Sequence, residues 1–104
     1  MAIIHRRVFY AKVGNAEQLV QHFHDAEATM NRLGIQFDAR IMTDYLTGRS
    51  DRVAVEWTLE SMSDLDSMME KLHNDPQSEA EFGTWLEKLN GLILYSEAES
   101  WMVR

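Results

Sequence analysis

Residues Ile35–Glu60, "IQFDARIMTDYLTGRSDRVAVEWTLE", decide how this chain folds. Two alternating stretches flank the turn-rich "LTGRS", the pattern of a β-hairpin with a loop of about five residues. Pairing the two arms sets Thr43 against Val53, Ile41 against Val55, Ala39 against Trp57 and Phe37 against Leu59 on one face. The other face sets Asp44 against Arg52, Met42 against Ala54, Arg40 against Glu56 and Asp38 against Thr58. A slip of one residue would put polar against apolar at nearly every step, so the register is strongly specified. The apolar face must meet a helical layer. Glu56, a carboxylate in mid-strand, therefore points away from the helices and toward Arg40. Opposite charges paired across strands stabilise an exposed face by roughly 0.2–1 kcal/mol.

Upstream, "IIHRRVFYAKV" (Ile3–Val13) is rich in β-branched and aromatic residues and reads as a strand, broken by Gly14-Asn15. Asn15 and Gln18 form a capping-box pattern ahead of a helix. Its apolar stripe is Ala16, Leu19, Val20, Phe23, Ala26, Met30 and Leu33, and Gly34 is placed to end it. Downstream, Ser61 or Ser63 caps a second helix with Met62, Leu65, Met68, Met69 and Leu72 on its stripe. Asn74-Asp75-Pro76 ends that helix. Asp75 with Pro76 then opens a third, carrying Phe82, Trp85, Leu86 and Leu89 and closed by Asn90-Gly91. "LILYSEAESWMV" alternates as a last strand. The order β-α-β-β-α-(α)-β predicts an α+β, ferredoxin-like domain over residues 1–104, its four-stranded antiparallel sheet covered by helices on one face.

Composition narrows the function. The chain has 104 residues, 45% of them apolar, enough for one modest core. No apolar run approaches the roughly 20 residues of a membrane helix, and "MAIIHRRVFY" lacks the long apolar region of a secretory signal. The absence of cysteine excludes disulfides and thiol nucleophiles and fits a cytoplasmic protein. A net charge of −7 argues against nucleic-acid and anionic-membrane partners. The seven methionines read as core filling, with an adaptable binding surface as the alternative. Neither a Gly-rich phosphate loop nor a Gly-x-Ser-x-Gly elbow occurs.

Two stretches, "RRVFYAKVGNAEQLVQHF" (6–23) and "VAVEWTLESMSDLDSMMEKLHNDP" (53–76), resemble the dimeric α/β-barrel superfamily, most nearly its NIPSNAP-like branch. The resemblance covers nearly the whole chain through short, degenerate motifs. It implies that two protomers pack their open sheet faces into a barrel, each with a small-molecule pocket within the barrel or between sheet and helices. It also implies that Arg7 matches a recurrent first-strand arginine, which selects the His5/Arg7/Phe9 face for the barrel interior. The superfamily includes cofactor-independent monooxygenases, isomerases and haem-degrading enzymes. The last resemble one another in a first-strand Asn, a second-helix Trp and a downstream His. Here His5 and Arg7 lie in the first of these regions, Met68 and Met69 in the second, and no histidine follows Pro76.

The expectation is a homodimer binding a small organic molecule without metal or organic cofactor. Arg7, Arg40, Tyr95 and Trp101 are the candidate ligand-binding residues, the arginines suiting a carboxylate or enolate. His5 and Glu56 are the candidate proton-transfer groups. Two other classes stay open: a cofactor-independent monooxygenase or isomerase acting on an aromatic or lactone-like substrate, and a structural dimerisation module. Each candidate has a plainer reading. His5 reads first as a strand-end histidine and Trp57 first as core, while Arg40 and Glu56 read equally as a solvated ion pair. His22 and His24 point about 200° apart on a helix and cannot share a metal. The His24/Glu27 pair lacks partners on another helix, and His73 suits a helix C-terminus.

Overall fold

A computed structural model describes residues 2–44 and 51–104. The elements run β1 (Ile3–Ala11), α1 (Ala16–Arg32), β2 (Asp38–Thr43), β3 (Arg52–Leu59), α2 (Ser63–Asn74), α3 (Pro76–Leu92) and β4 (Ile93–Met102). The strands form one antiparallel sheet in the order β2-β3-β1-β4. The predicted ferredoxin-like α+β topology is what the chain adopts. At 39 × 38 × 18 Å, it is a slab about one sheet and one helical layer thick.

The β2–β3 pairing is the predicted register from Asp38 opposite Thr58 to Thr43 opposite Val53. The expected loop at Leu46–Ser50 lies outside the described residues. As the alternation requires, Val53, Val55 and Leu59 are buried, and the first two join a core with Phe9, Leu19, Phe23, Leu89 and Leu92. Trp57 packs at its margin, as does Trp85.

Local rules explain most element ends. Gly34 has φ 72° and closes α1 with two backbone bonds, Gly34 N–H to Asn31 O (3.1 Å) and Ile35 N–H to Met30 O (2.9 Å). That left-handed turn is the Schellman arrangement, which glycine adopts at least cost. Ser61 Oγ accepts from Ser63 N–H, and Asp64 Oδ2 accepts in return from Ser61 N–H, a reciprocal cap at the start of α2. Three expectations fail locally. β1 stops at Ala11, two residues early. The Asn15 side chain makes no capping bond; its φ of −100° and ψ of 3° are not the usual cap conformation. Asn90-Gly91 does not end α3, which continues to Leu92 and passes straight into β4. Leu89 and Leu92 are both buried in the core. Their burial outweighs the helix penalty of one glycine, about 0.5–1 kcal/mol.

The larger correction concerns β1. It pairs with β3 so that His5 lies opposite Trp57, Arg7 opposite Val55 and Phe9 opposite Val53. Residues directly opposite share a face. The His5/Arg7/Phe9 face therefore meets the helices. Ile4, Arg6, Val8 and Tyr10 lie on the open face instead, with Arg6 opposite Glu56.

Candidate functional site

The sheet separates the sequence-predicted site residues into two groups. Arg40, Glu56, Tyr95 and Trp101 stand on the open face, while His5 and Arg7 stand beneath the helices. The structure does not bring the six together.

On the open face one row crosses all four strands: Arg40 (β2), Glu56 (β3), Arg6 (β1) and Glu99 (β4). The charges alternate along it. Glu56 Oε2 accepts from Arg6 Nε at 2.8 Å, Oε1 accepts from Arg40, and Arg6 also reaches Glu99 at 3.2 Å. These partners leave the Glu56 side chain only 4% exposed. The hydrogen bonds from Arg40, then from Arg6, hold its carboxyl below the ordinary carboxylate range, outweighing the opposing effect of burial. Fixed as an anion with both oxygens engaged, Glu56 is an ion-pair hub and a weak proton acceptor. Around the row lie apolar groups. Tyr10 and Tyr95 stack at 4.3 Å, and Trp101 sits opposite Ile4. Trp101 is 59% exposed.

The other side is concave. Between the sheet and the helices lies a cleft of about 650 Å³, floored by Arg7 and Phe9 of β1, Val55 and Trp57 of β3, and Ala39 and Ile41 of β2. Phe23 and Met30 of α1, Met68, Met69 and Leu72 of α2, and Phe82, Trp85 and Leu86 of α3 form its walls. The cleft exists because α2 buries one residue, Leu72, and otherwise lines the space without filling it. Three of the seven methionines, Met30, Met68 and Met69, thus face a cavity, where core filling was expected.

Arg7 lines this cleft with one side-chain hydrogen bond, to Ser96 Oγ at 3.3 Å, and its guanidinium lies 5.2 Å from the Phe9 ring centre. Its Nε is buried without a hydrogen-bond partner among the described residues. His5 stands on the same face, stacked on Trp57 at 5.7 Å, its Nδ1 2.8 Å from Ser100 Oγ. Partial burial first, and the Arg7 charge second, lower the His5 pKa below its ordinary 6.5, which keeps the imidazole neutral at neutral pH.

Two residues were missed by sequence reasoning. Arg6, the second partner of Glu56, becomes visible only once β1 is registered on β3. His22, given no role by the sequence beyond its inability to share a metal with His24, is buried: it stacks on Trp85 at 4.5 Å, its Nε2 lies 2.8 Å from Trp85 O, and Trp85 Nε1 donates to His22 O at 2.9 Å. No local pattern announces that reciprocal pair. His24 and Glu27 do meet, at 3.4 Å, on an exposed flank. His73 ends α2 as expected, its ring edge-on to Phe82.

No protein-family model matches the chain, and no curated protein matches it. Solved structures do. A NIPSNAP family protein from Agrobacterium tumefaciens superposes with a TM-score of 0.76 at 17% identity, covering 100% of this chain and 94% of that one. An uncharacterised NIPSNAP domain protein from Burkholderia xenovorans gives 0.74 at 16% identity, covering 98% and 94%. SnoaB, a cofactor-independent oxygenase from Streptomyces nogalater, gives 0.68 at 13% identity, covering 99% and 93%. At these identities the likeness establishes the fold: NIPSNAP-like and ferredoxin-like.

Proposed function

We propose, with the NIPSNAP-like fold as premise, that this chain is a homodimeric protein binding a small organic molecule in the cleft between its sheet and its helices. The cleft itself carries the reading. Its volume of about 650 Å³ falls within the 300–1,000 Å³ usual for small-molecule sites, and its walls are mainly aliphatic and aromatic with a few polar groups. An unfilled space among such side chains forfeits dispersion contacts that a ligand would restore. A purely structural dimerisation module has no use for that space.

In this reading the open face serves association. An ion-paired row flanked by exposed Tyr95 and Trp101 suits contact with a second copy, the twofold setting like rows against each other. Arg40, Glu56, Tyr95 and Trp101 thus belong to the dimer contact, while Arg7 belongs to the cleft and His5 stands beside it on the same sheet face. The cysteine-free composition suits residence in the cytoplasm.

A second reading, a cofactor-independent monooxygenase or isomerase, is favoured by one observation. His5 is neutral at neutral pH and stacks on Trp57, which floors the cleft, so a proton acceptor stands one side chain away from the space a substrate would occupy. The fold shared with SnoaB agrees with this reading.

Titration with N-phenyl-1-naphthylamine, whose fluorescence rises in apolar sites, tests the cleft. Saturable binding that Phe23→Ala or Met69→Lys disturbs is expected, and no binding refutes the ligand reading. Sedimentation velocity tests association. The wild type should sediment as a dimer and Trp101→Glu as a monomer; a monomeric wild type refutes that part.

A further inference from the structure

We infer that the cleft selects planar, apolar monoanions of the aromatic carboxylate class, with Arg7 as the residue that recognises the charge. This rests on the ligand-binding reading above and names the class of ligand.

Arg7 differs from four other arginines of the chain. Arg6, Arg32, Arg40 and Arg52 each sit within ion-pair distance of a carboxylate. Among the described residues Arg7 has no such partner, only the hydroxyl of Ser96 and the face of Phe9. It is also the one basic side chain among the described residues lining the cleft. A guanidinium held against apolar walls without a countercharge is in a costly state, made worse by its buried, unbonded Nε. A carboxylate entering the cleft supplies the missing charge and matches the planar fork of donors.

The remaining charges of the lining set the selectivity. Asp25, Glu27 and Glu81 are its other ionisable groups. Glu81 is engaged by Arg32, Glu27 lies beside His24, and Asp25 accepts from Gln21. With one cation and three carboxylates in its lining, the cleft accommodates a single negative charge. A second charge on the ligand finds no donor and meets repulsion. The aromatic walls, Phe9, Phe23, Trp57, Phe82 and Trp85, favour a flat ring system behind that charge.

The test displaces N-phenyl-1-naphthylamine from the wild-type protein with three compounds on one ring system: 1-naphthoate, the neutral 1-naphthamide and the dianionic 1-naphthyl phosphate. Naphthoate should compete about tenfold better than the amide, the strength of one charge-assisted contact, and the phosphate no better than the amide. Arg7→Met should abolish the advantage of naphthoate over the amide, read as the ratio of the two on the same variant, while Arg7→Lys keeps part of the advantage. Equal displacement by naphthoate and amide overturns the inference, as does an advantage that survives Arg7→Met or a phosphate that outcompetes naphthoate. Should Arg7→Met fail to fold, the wild-type series decides alone. If the neutral probe binds and charge makes no difference, the inference falls and the cleft stands. If the probe does not bind, the cleft reading falls first.

Discussion

Replacing Glu56 with glutamine keeps its size and removes the charge at the centre of the four-strand row. The two arginines should lose unequal amounts. Arg6 is 40% exposed and brings both Nε and an Nη to Oε2 at 2.8 Å, whereas Arg40 is 68% exposed and reaches Oε1 through one nitrogen. Exposed ion pairs are worth up to about 1 kcal/mol, and hydrogen bonds to well-buried charges about 1.5–3 kcal/mol. A buried acceptor with half-exposed donors falls between these limits. The coupling to Arg6 is about 1.5 kcal/mol. Arg40 is the first cause of the lowered Glu56 pKa, but its greater exposure lets solvent screen the pair, so its coupling is the smaller. Glu56→Gln therefore costs at least about 1.5 kcal/mol and lowers Tm by about 7 °C or more. Urea melts of Glu56→Gln, Arg6→Met, Arg40→Met and the two double variants, at one protein concentration, give both couplings. Acid gives an independent check. The folded Glu56 carboxyl titrates below its unfolded value of 4.5, so its contribution is complete above that pH. It is lost as the pH falls through the folded value. The gap between wild type and Glu56→Gln must therefore close in strong acid. A larger coupling to Arg40 than to Arg6, a coupling to Arg6 below about 0.3 kcal/mol, or a gap that persists in acid would refute the hub.

Three further outcomes are expected. Gly34→Ala meets no atom near its new Cβ but must hold φ 72°, so it should lower stability by about 1 kcal/mol in a urea melt through backbone strain alone. Leu19→Ala empties a fully buried position in the core and should cost about 2–5 kcal/mol, read by the same melt. An NMR titration of Arg7→Met should find the His5 pKa moved up but still below 6.5, because burial is the larger cause of its depression and remains. In the wild type that depression means His5 weakens folding as the pH drops below 6.5 toward the folded value, since the unfolded chain binds the proton first.

The sequence by itself determined the topology and the hairpin. Apolar residues on one arm of Ile35–Glu60 find apolar partners on the other in a single register, so Arg40 had to face Glu56. Gly34 and the Ser61–Asp64 cap were legible for the same reason: each depends on neighbours within a few residues. β1 carried no such information. Its alternation offers Ile3, Phe9 and Ala11 on one side and Ile4, Val8 and Tyr10 on the other, with one arginine apiece, so its period has no preferred phase. Only pairing with β3 settled that phase, sending Arg6 to Glu56 and Arg7 into the cleft. His22 became a buried partner of Trp85 in the same way, through the packing of α1 on α3. The candidate site was therefore half legible. Charge pairs within one hairpin follow from local alternation, but a cleft between layers exists only where elements distant in sequence fail to fill the space they enclose.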